Sequence, residues 1–313
     1  MLKNKYSYLI LFLLFTGCVE HIFFIKIEPT GNYNINYQCN GNLDDIKNSD
    51  FPIPNDRNWE ITSPIQKKGN SYYFSSNKNF KKNDVTLDHF SFNDSIPYQS
   101  VLKHPINIYK TNYLFFEIIS FKCTFKSRQA YYKYPSLRNW LNGPENNSEN
   151  IIKEILFYII NQSIDDANLG FNIYPIIKND VNKWYQNAVS TVADSIIFNN
   201  FEDYLTQGKK IIKSNLMNQT TNIDSIINIY KMEADITMNL IDDDFNMKIN
   251  IPHNIFSQNA DTIINDTLIW KFSIKDFLNN DKELYANSYE IIYLNFILLL
   301  IFIIIFLFIK KLY

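Results

Sequence analysis

The end of the chain constrains the fold most, because it contains a stretch too long and too apolar for an ordinary protein surface. Residues 291–309 are almost entirely Ile, Leu and Phe, with Asn295 as the one strongly polar residue. A run of about 20 apolar residues is long enough to cross a bilayer as a helix. We predict a transmembrane helix over 291–309, and not a buried core helix, because the run is apolar on every face.

The residues after this run predict its orientation. Lys310 and Lys311 follow at once, and positively charged residues beside a span stay on the cytoplasmic side. Residues 310–313 are then a cytoplasmic tail, and residues 18–290 lie outside the cytoplasm. Outer membranes of bacteria hold barrels, not helical spans. The predicted location is therefore the cytoplasmic (inner) membrane.

The start of the chain has the pattern of an export signal. Two lysines precede a short apolar run over residues 6–15, which is too short to span a bilayer comfortably. Residues 1–17 are therefore predicted to be a signal peptide that is removed.

The residues at the predicted cleavage point carry a further signal. The string LFTGC at residues 14–18 resembles the bacterial lipobox, with Phe15 in place of the usual Leu. This resemblance implies a lipid on Cys18 as the mature N-terminus. The alternative is an uncleaved signal anchor with an incidental cysteine. With so few residues between Cys18 and the first strand, we expect that strand to point away from the bilayer and the last strand to return to it.

Charge and motif content exclude several classes of function. The formal net charge of -2 gives no general attraction to nucleic acid, so no nucleic-acid partner is predicted. Seven glycines leave little material for a phosphate-binding loop, and no such motif occurs. No metal site, cofactor or catalytic residue is predicted, because the histidines occur singly, without zinc spacing or a triad; they are His21, His89, His104 and His253.

Two cysteines remain in the exported part if Cys18 is acylated. Cys39 and Cys123 both lie in strand-like segments. Thiols exported to an oxidising compartment often form a disulfide, but their separation in sequence gives no proof of proximity. The sequence leaves open a disulfide or two buried thiols.

The hydrophobic pattern divides the exported part into three. Residues 21–133 alternate as strands, with hairpins around residues 29–31 and 67–70. Residues 148–231 have helical periodicity, and alternation returns over 233–289. This order predicts an α+β fold, in which a largely antiparallel sheet carries a central helical segment packed on it and the transmembrane helix follows.

Two segments carry the clearest periodic signals. Apolar residues recur along 181–197 at helical spacing, which predicts one amphipathic helix. Trp184 and Tyr185 in this stripe, and Trp270 in a later strand, are predicted to face either a ligand or the core. Alternation of Ala234, Ile236, Met238 and Leu240 predicts a strand.

The last part of the exported chain resembles a known family. The stretches Ile251-Pro252, Asn259-Ala260, 267–270 and 284–288, which run into the terminal span, look like the end of the LppM-like bacterial membrane lipoproteins. The Gly expected after Pro252 is His253 in this chain. The resemblance implies an anchored α/β ectodomain that binds lipid or another hydrophobic ligand, and it transfers no catalytic residues.

Two functional interpretations follow. The first is a non-enzymatic envelope lipoprotein whose partners are membrane lipid or another envelope protein. It would bind them through the sheet face near the bilayer or a pocket beside the 181–197 helix. The second is a membrane-anchored hydrolase with a site assembled from dispersed residues. A polar cleft that gathers a histidine and carboxylates would favour the hydrolase.

Overall fold

The computed structural model describes residues 19–47, 51, 53–54, 59–82, 102–141, 150–216 and 222–312. In these ranges the chain is a mixed α+β fold with two large, mostly antiparallel sheets and one apolar C-terminal helix, which confirms the predicted fold class. The predicted signal peptide at 1–17 and Cys18 lie outside the described residues.

The larger sheet has seven strands. In sheet order they are β3 (Glu60–Lys68), β4 (Ser71–Phe80), β2 (Tyr33–Gly41), β1 (Glu20–Ile27), β7 (Asp244–Asn250), β10 (Thr267–Ser273) and β9 (Thr262–Ile264). All neighbours pair antiparallel except β1 and β7, which are parallel. A parallel pair needs a long crossover connection, and the intervening strands and helices supply it.

The smaller sheet has four antiparallel strands. In sheet order they are β5 (Leu102–Asn112), β6 (Phe116–Phe125), β11 (Lys282–Ile291) and β8 (Asn254–Gln258). Both predicted hairpins, β1–β2 and β3–β4, are confirmed in the larger sheet. The strands predicted from alternation after residue 244 are also present.

The two sheets pack face to face as a sandwich. Alternate residues of β6 are buried because successive side chains of a strand point to opposite faces. Phe125 of β6 lies 5.2 Å from Phe245 of β7 and 4.8 Å from Phe272 of β10, measured between ring centroids. Such aromatic pairs contribute about 1 kcal/mol each beyond the burial of their area. Phe51 also contacts Phe125 and Phe245, and so closes the same core.

The described helices fill the connections. They are α1 (Leu43–Lys47), α2 (Ala130–Lys133), α3 (Pro135–Leu141), α4 (Ile151–Asp166), α5 (Tyr174–Trp184), α6 (Asp194–Asn199), α7 (Phe201–Leu216), α8 (Ile223–Asn239), α9 (Ile274–Phe277) and α10 (Tyr293–Leu312). A π-helical turn, Tyr185–Val189, follows α5, and a 3₁₀ turn, Leu240–Asp242, follows α8. We call residues 150–242 the helical lobe; within it α4 packs against α5, α7 and α8.

The helical lobe joins the sandwich at the end where β6 finishes. The backbone N–H of Arg128 donates to the carbonyl of Phe277, and that of Ala130 donates to Leu278, both at 3.0 Å. The Arg128 side chain is buried and donates from Nε to Thr237 of α8 at 3.1 Å. These bonds connect the smaller sheet, α9 and the lobe.

The predicted strand over Ala234–Leu240 is wrong, because α8 continues to Asn239. Four alternating apolar residues fit a strand, but Ile227, Ala234 and Thr237 also share the buried side of a helix. No helix breaker interrupts the run, and the helix must extend this far to bring Thr237 to Arg128. The helical part of the chain therefore ends at residue 242, whereas the predicted end was residue 231. The first group of strands ends at Phe125, before α2, whereas the predicted end was residue 133.

The predicted single helix over 181–197 is also wrong. The chain leaves helical geometry after the π turn, and Ala193 is extended with φ -68° and ψ 143°. The hydroxyl of Ser190 donates to the carbonyl of Gln186 at 2.8 Å, and side chains that bond this way compete with the helix ladder. The break turns Asp194 toward α4, where its Oδ2 accepts the N–H of Ile152 at 3.0 Å. Asp194 therefore satisfies an N–H in the first turn of α4.

The N-terminal strand and the C-terminal helix lie at opposite ends of the sandwich. Phe121 and Phe125 of β6 contact Trp270 and Phe272 of β10 in that order, so β6 and β10 run the same way. β10 pairs antiparallel with β7, and β7 pairs parallel with β1, so β1 runs opposite to β10. β11 pairs antiparallel with β6 and also runs opposite to β10, so β1 and β11 run in the same direction. Val19 therefore lies at the helical-lobe end, away from α10, and the expectation that the first and last strands run in opposite directions is wrong.

Candidate functional site

The turn between β5 and β6 lies against the first turn of α10. The N–H of Ile292 donates to the carbonyl of Phe115 at 2.8 Å. The side-chain amide of Asn295 donates to the carbonyl of Leu114, and the rings of Phe115 and Phe296 lie 4.5 Å apart. The one strongly polar residue of the apolar helix is thus used to hold a hairpin tip.

This hairpin tip presents apolar side chains to solvent. Leu114 is 69% exposed, and Tyr113 and Phe116, whose rings stack at 4.7 Å, are also exposed. Among the described residues, α10 is the one helix long and apolar enough to cross a membrane. Aromatic side chains beside a spanning helix are typical of the membrane interface. We call residues 113–116 together with the start of α10 the membrane-facing end.

The outer face of the smaller sheet changes from apolar to polar with distance from α10. Phe116 pairs with Ile291 and Ile118 pairs with Tyr289 nearest the helix, and the next rung pairs Ser120 with Asn287. Beyond these, Lys122 forms an exposed ion pair with Glu283 at 2.6 Å. Phe256 of β8 is exposed and adds to the apolar end, with its ring 5.9 Å from that of Tyr289. The apolar part of this face is therefore continuous with α10.

One ion pair and one histidine–carboxylate contact lie just inside the membrane-facing end. Lys110 lies 2.5 Å from Glu117 and also donates to the carbonyl of Pro29 at 2.7 Å. His253 lies 3.2 Å from Glu290. His253 also has φ 72°, in the left-handed region that favours glycine.

The three aromatic residues predicted to face a ligand or the core lie in two places. Trp184 is half-buried in the helical lobe and donates to Gln207 at 3.4 Å. Tyr185 is also half-buried, with its ring 4.2 Å from that of Phe157. Trp270 is fully buried in the sandwich, and its indole N–H reaches both oxygens of Asn259 at 3.0 Å. Of the two alternatives, Trp270 therefore has the environment of a core residue.

The two cysteines of the described chain are buried thiols in different sheets, Cys39 in β2 and Cys123 in β6, and they form no disulfide in the structure. Burial raises the pKa of the Cys39 thiol to about 12, against the opposing effect of a hydrogen bond with Tyr37. Burial raises the pKa of Cys123 as well. Both side chains therefore have the properties of core thiols and not of nucleophiles.

A second histidine meets a carboxylate, and this pair lies in the interior of the sandwich. His21 Nε2 lies 3.2 Å from Asp243 Oδ2, and His21 Nδ1 lies 2.7 Å from the Tyr37 hydroxyl. The side chains of His21 and Asp243 are only 3% and 1% exposed. Asp243 also accepts the N–H of Val19 at 3.2 Å, so the group joins β1 to the start of β7. A substrate has no access to this group, and the geometry gives no support to the hydrolase interpretation.

Sequence reasoning missed the hairpin tip as a functional element. Tyr113, Leu114, Phe115 and Phe116 form an apolar string between two strands, and such a string at a turn is unusual because turns are generally polar. That signal was available in the sequence. The position of the hairpin tip beside α10 could not be predicted from the sequence, since it depends on the register of β6 with β11. Among the described residues, no group of three or more His, Cys, Asp or Glu side chains is arranged to hold a metal ion.

Comparison with known proteins adds one structural similarity. No protein-family model and no curated protein sequence matches this chain. The folded domain of LppM from Mycobacterium tuberculosis, solved by NMR, aligns with 88% of this chain and 91% of its own length. The identity is 9% and the TM-score is 0.31. This is a weak structural resemblance, and no functional argument rests on it.

Proposed function

We propose that this protein is a membrane-anchored envelope lipoprotein that acts by binding and not by catalysis, and that its immediate ligand is the surface of the bilayer. In this proposal α10 spans the cytoplasmic membrane and the membrane-facing end enters the interfacial region. The rest of the sandwich and the helical lobe lie outside the cytoplasm.

The observation that carries the proposal is the attachment of the β5–β6 tip to the first turn of α10. Asn295 and Ile292 fix the backbone of the tip, so the exposed Leu114 must sit at the level where α10 enters the membrane. Burial of a Leu or Tyr side chain contributes roughly 1.5–3 kcal/mol. Several such side chains on a rigid base favour a fixed orientation of the domain over free rotation on a linker.

The depth of the tip can be measured in the full-length protein in nanodiscs. A Leu114→Cys variant carries an environment-sensitive fluorophore, and the lipid contains brominated acyl chains as quencher. The matched control places the same label at Lys271→Cys, which is exposed on the outer face of the larger sheet. We expect strong quenching at position 114 and little at position 271. Equal, weak quenching at both positions would refute contact between the tip and the bilayer.

The N-terminal anchor requires a separate measurement. We propose that Cys18 is acylated after removal of residues 1–17, and intact mass of the membrane-extracted protein tests this directly. Loss of the signal mass with addition of acyl mass is the expected result, and a lipoprotein signal peptidase inhibitor should prevent it. A full-length, unmodified chain would show instead that the N-terminal segment is an uncleaved anchor.

A further inference from the structure

The outer face of the larger sheet contains a groove of ≈ 520 Å³ at the centre of the sheet. It crosses β4, β2, β1 and β7, with Thr62 of β3 at one end, on the side that faces away from the sandwich core. Four strands span roughly 14 Å, since neighbouring strands lie about 4.8 Å apart. The groove is therefore long enough for a short extended ligand that lies across the strands.

Amide side chains line the floor of this groove in a regular row. Asn34, Asn36 and Gln38 occupy successive outward positions of β2, and Asn77 lies opposite Asn36 on β4. Asparagine is depleted in strands, whereas Thr is the polar residue that is enriched there. A row of uncharged amides on three successive outward positions therefore needs an explanation beyond sheet formation.

Hydrogen bonds among these amides fix their orientation. The Asn34 Nδ2 group donates to Asn77 Oδ1 at 2.7 Å and to Asn79 Oδ1 at 2.8 Å. The Gln38 Nε2 group donates to Asn36 Oδ1 at 2.9 Å. Within the described part of the chain, no hydrogen bond uses the oxygens of Asn34 and Gln38 or the NH₂ groups of Asn36 and Asn77. The groove thus offers alternating acceptors and donors that are already positioned.

The remaining lining adds one aromatic surface and one cation. Phe24 of β1 is 40% exposed and provides an apolar ring beside the amides. Lys248 of β7 stands opposite Phe24 and makes no ion pair with any residue that the structure describes. No carboxylate lines the groove. A ligand that suits the amides and the Phe24 ring has many hydroxyl groups, each both donor and acceptor, and an apolar C–H face.

We infer that this groove binds an extended oligosaccharide across strands β4, β2, β1 and β7. The amides bond its hydroxyl or acetamido groups, and the Phe24 ring contacts the C–H face of one sugar. A peptide strand is the weaker fit, because a peptide adds to a sheet edge through backbone bonds, whereas this groove lies in the middle of the sheet.

The test uses the full-length protein in nanodiscs and two defined probes, the β-1,4-linked hexasaccharides of N-acetylglucosamine and of glucose. Binding is measured by isothermal titration calorimetry. We expect saturable binding of at least one hexasaccharide. The Asn36→Ala/Gln38→Ala variant should weaken it by tenfold or more, as expected when ordered hydrogen bonds are lost. Phe24→Ala should weaken it similarly, and Phe24→Tyr should retain it.

The control is Lys271→Ala, on the same outer face of the sheet but outside the groove, which should bind like the wild type. Absence of saturable binding of both hexasaccharides at millimolar concentration would overturn the inference. Binding that is unaffected by the amide and Phe24 variants would overturn it as well, since the sugar would then lie elsewhere. These results are independent of the quenching experiment on Leu114, because the two surfaces do not overlap.

Discussion

His21 and Asp243 are 222 residues apart in the chain, yet their side chains meet at 3.2 Å in the interior of the sandwich. The contact joins the strand that starts the exported domain to the residue at which the helical lobe returns to the sheet. The His21 ring also lies 5.0 Å from Phe245 and 4.8 Å from Phe51. This polar contact has apolar walls, so we assign it a structural role that depends on its protonation.

The free energy of unfolding should fall as the pH rises through the range in which the His21–Asp243 site loses its proton. Burial, together with the neighbouring Asp242 and Asp244, raises the pKa of Asp243 to about 8 in the folded protein, from 3.8 ordinarily. The unfolded chain releases the proton of this aspartate at about pH 4 and that of His21 at about pH 6.5, whereas the folded chain keeps a proton on Asp243 up to about pH 8. Stability therefore falls mainly as the pH rises from about 6.5 to about 8.

The measurement is chemical denaturation of the full chain in detergent at pH 5 and pH 7.5, for wild type and Asp243→Asn. The amide cannot titrate, so the stability of the variant relative to wild type should rise by more than about 1 kcal/mol between the two pH values. A constant difference between the two proteins would contradict the assignment.

Arg128 should be essential for attachment of the helical lobe. It is 1% exposed, and it donates to Thr237 Oγ1 and to the carbonyl of Glu233 at 3.2 Å. Burial lowers its pKa, and Glu233 partly restores it. Arg128→Met removes both hydrogen bonds from a charged donor, although the Glu233 carbonyl still accepts from the Thr237 hydroxyl, and should cost about 3 kcal/mol of unfolding free energy. Thr237→Val should cost about 1 kcal/mol, and Lys271→Met, on the surface, almost nothing. Equal small effects in all three would contradict this role.

Gly208 should not tolerate a side chain, although it lies within α7. A Cβ at this position would stand 2.9 Å from Ile160 Cδ1 and 3.3 Å from the Trp184 ring. In an exposed helix, Gly→Ala gains about 1 kcal/mol. In this protein we expect Gly208→Ala to destabilise by about 1–3 kcal/mol through overpacking. Adding Ile160→Val, which removes the Cδ1 atom, should recover part of the loss in a thermal unfolding assay. A stabilised single variant would refute the close helix contact.

Cys39 and Cys123 should be unreactive in the folded protein. Both are buried with raised pKa values, so a maleimide should label neither one in native detergent solution within minutes. After denaturation without reductant, mass spectrometry should show both labelled. If neither labels even when unfolded, the two cysteines form a disulfide in the exported protein, which is the alternative that the sequence left open.

Local pattern predicted most strands and hairpins, and it failed where distant contacts decide the conformation. The break after residue 189 exists because Asp194 must reach the first turn of α4, and no local window contains that partner. The length of α8 similarly depends on Arg128. The role of Gly208 is also set by a distant contact, because the helix is continuous through it and the glycine permits close packing with Ile160.

The candidate surfaces were only partly visible in the sequence. The alternation of Asn34, Asn36 and Gln38 marks one face of a strand and could have been recognised, but a chain rich in Asn makes such a row easy to attribute to composition. The partner Asn77 is set by the register between β2 and β4. The alignment of Leu114 with Asn295 depends on strands that are more than a hundred residues apart, so periodicity alone does not reveal it.

The opposite placement of Val19 and α10 has a mechanical consequence if Cys18 carries a lipid. The eight residues of β1 extend about 26 Å, and Cys18 is the residue before Val19 in the sequence. The acyl chains and α10 can then insert in one bilayer only if the long axis of the sandwich lies parallel to the membrane surface. We expect a fluorophore at Tyr132→Cys, near the lobe end of the sandwich, to be quenched by brominated lipid in the acylated protein. This quenching should be lost when Cys18→Ser is added. Without the lipid, the lobe end of the sandwich would no longer be held at the bilayer, and the domain could rotate away from the membrane surface about its attachment to α10.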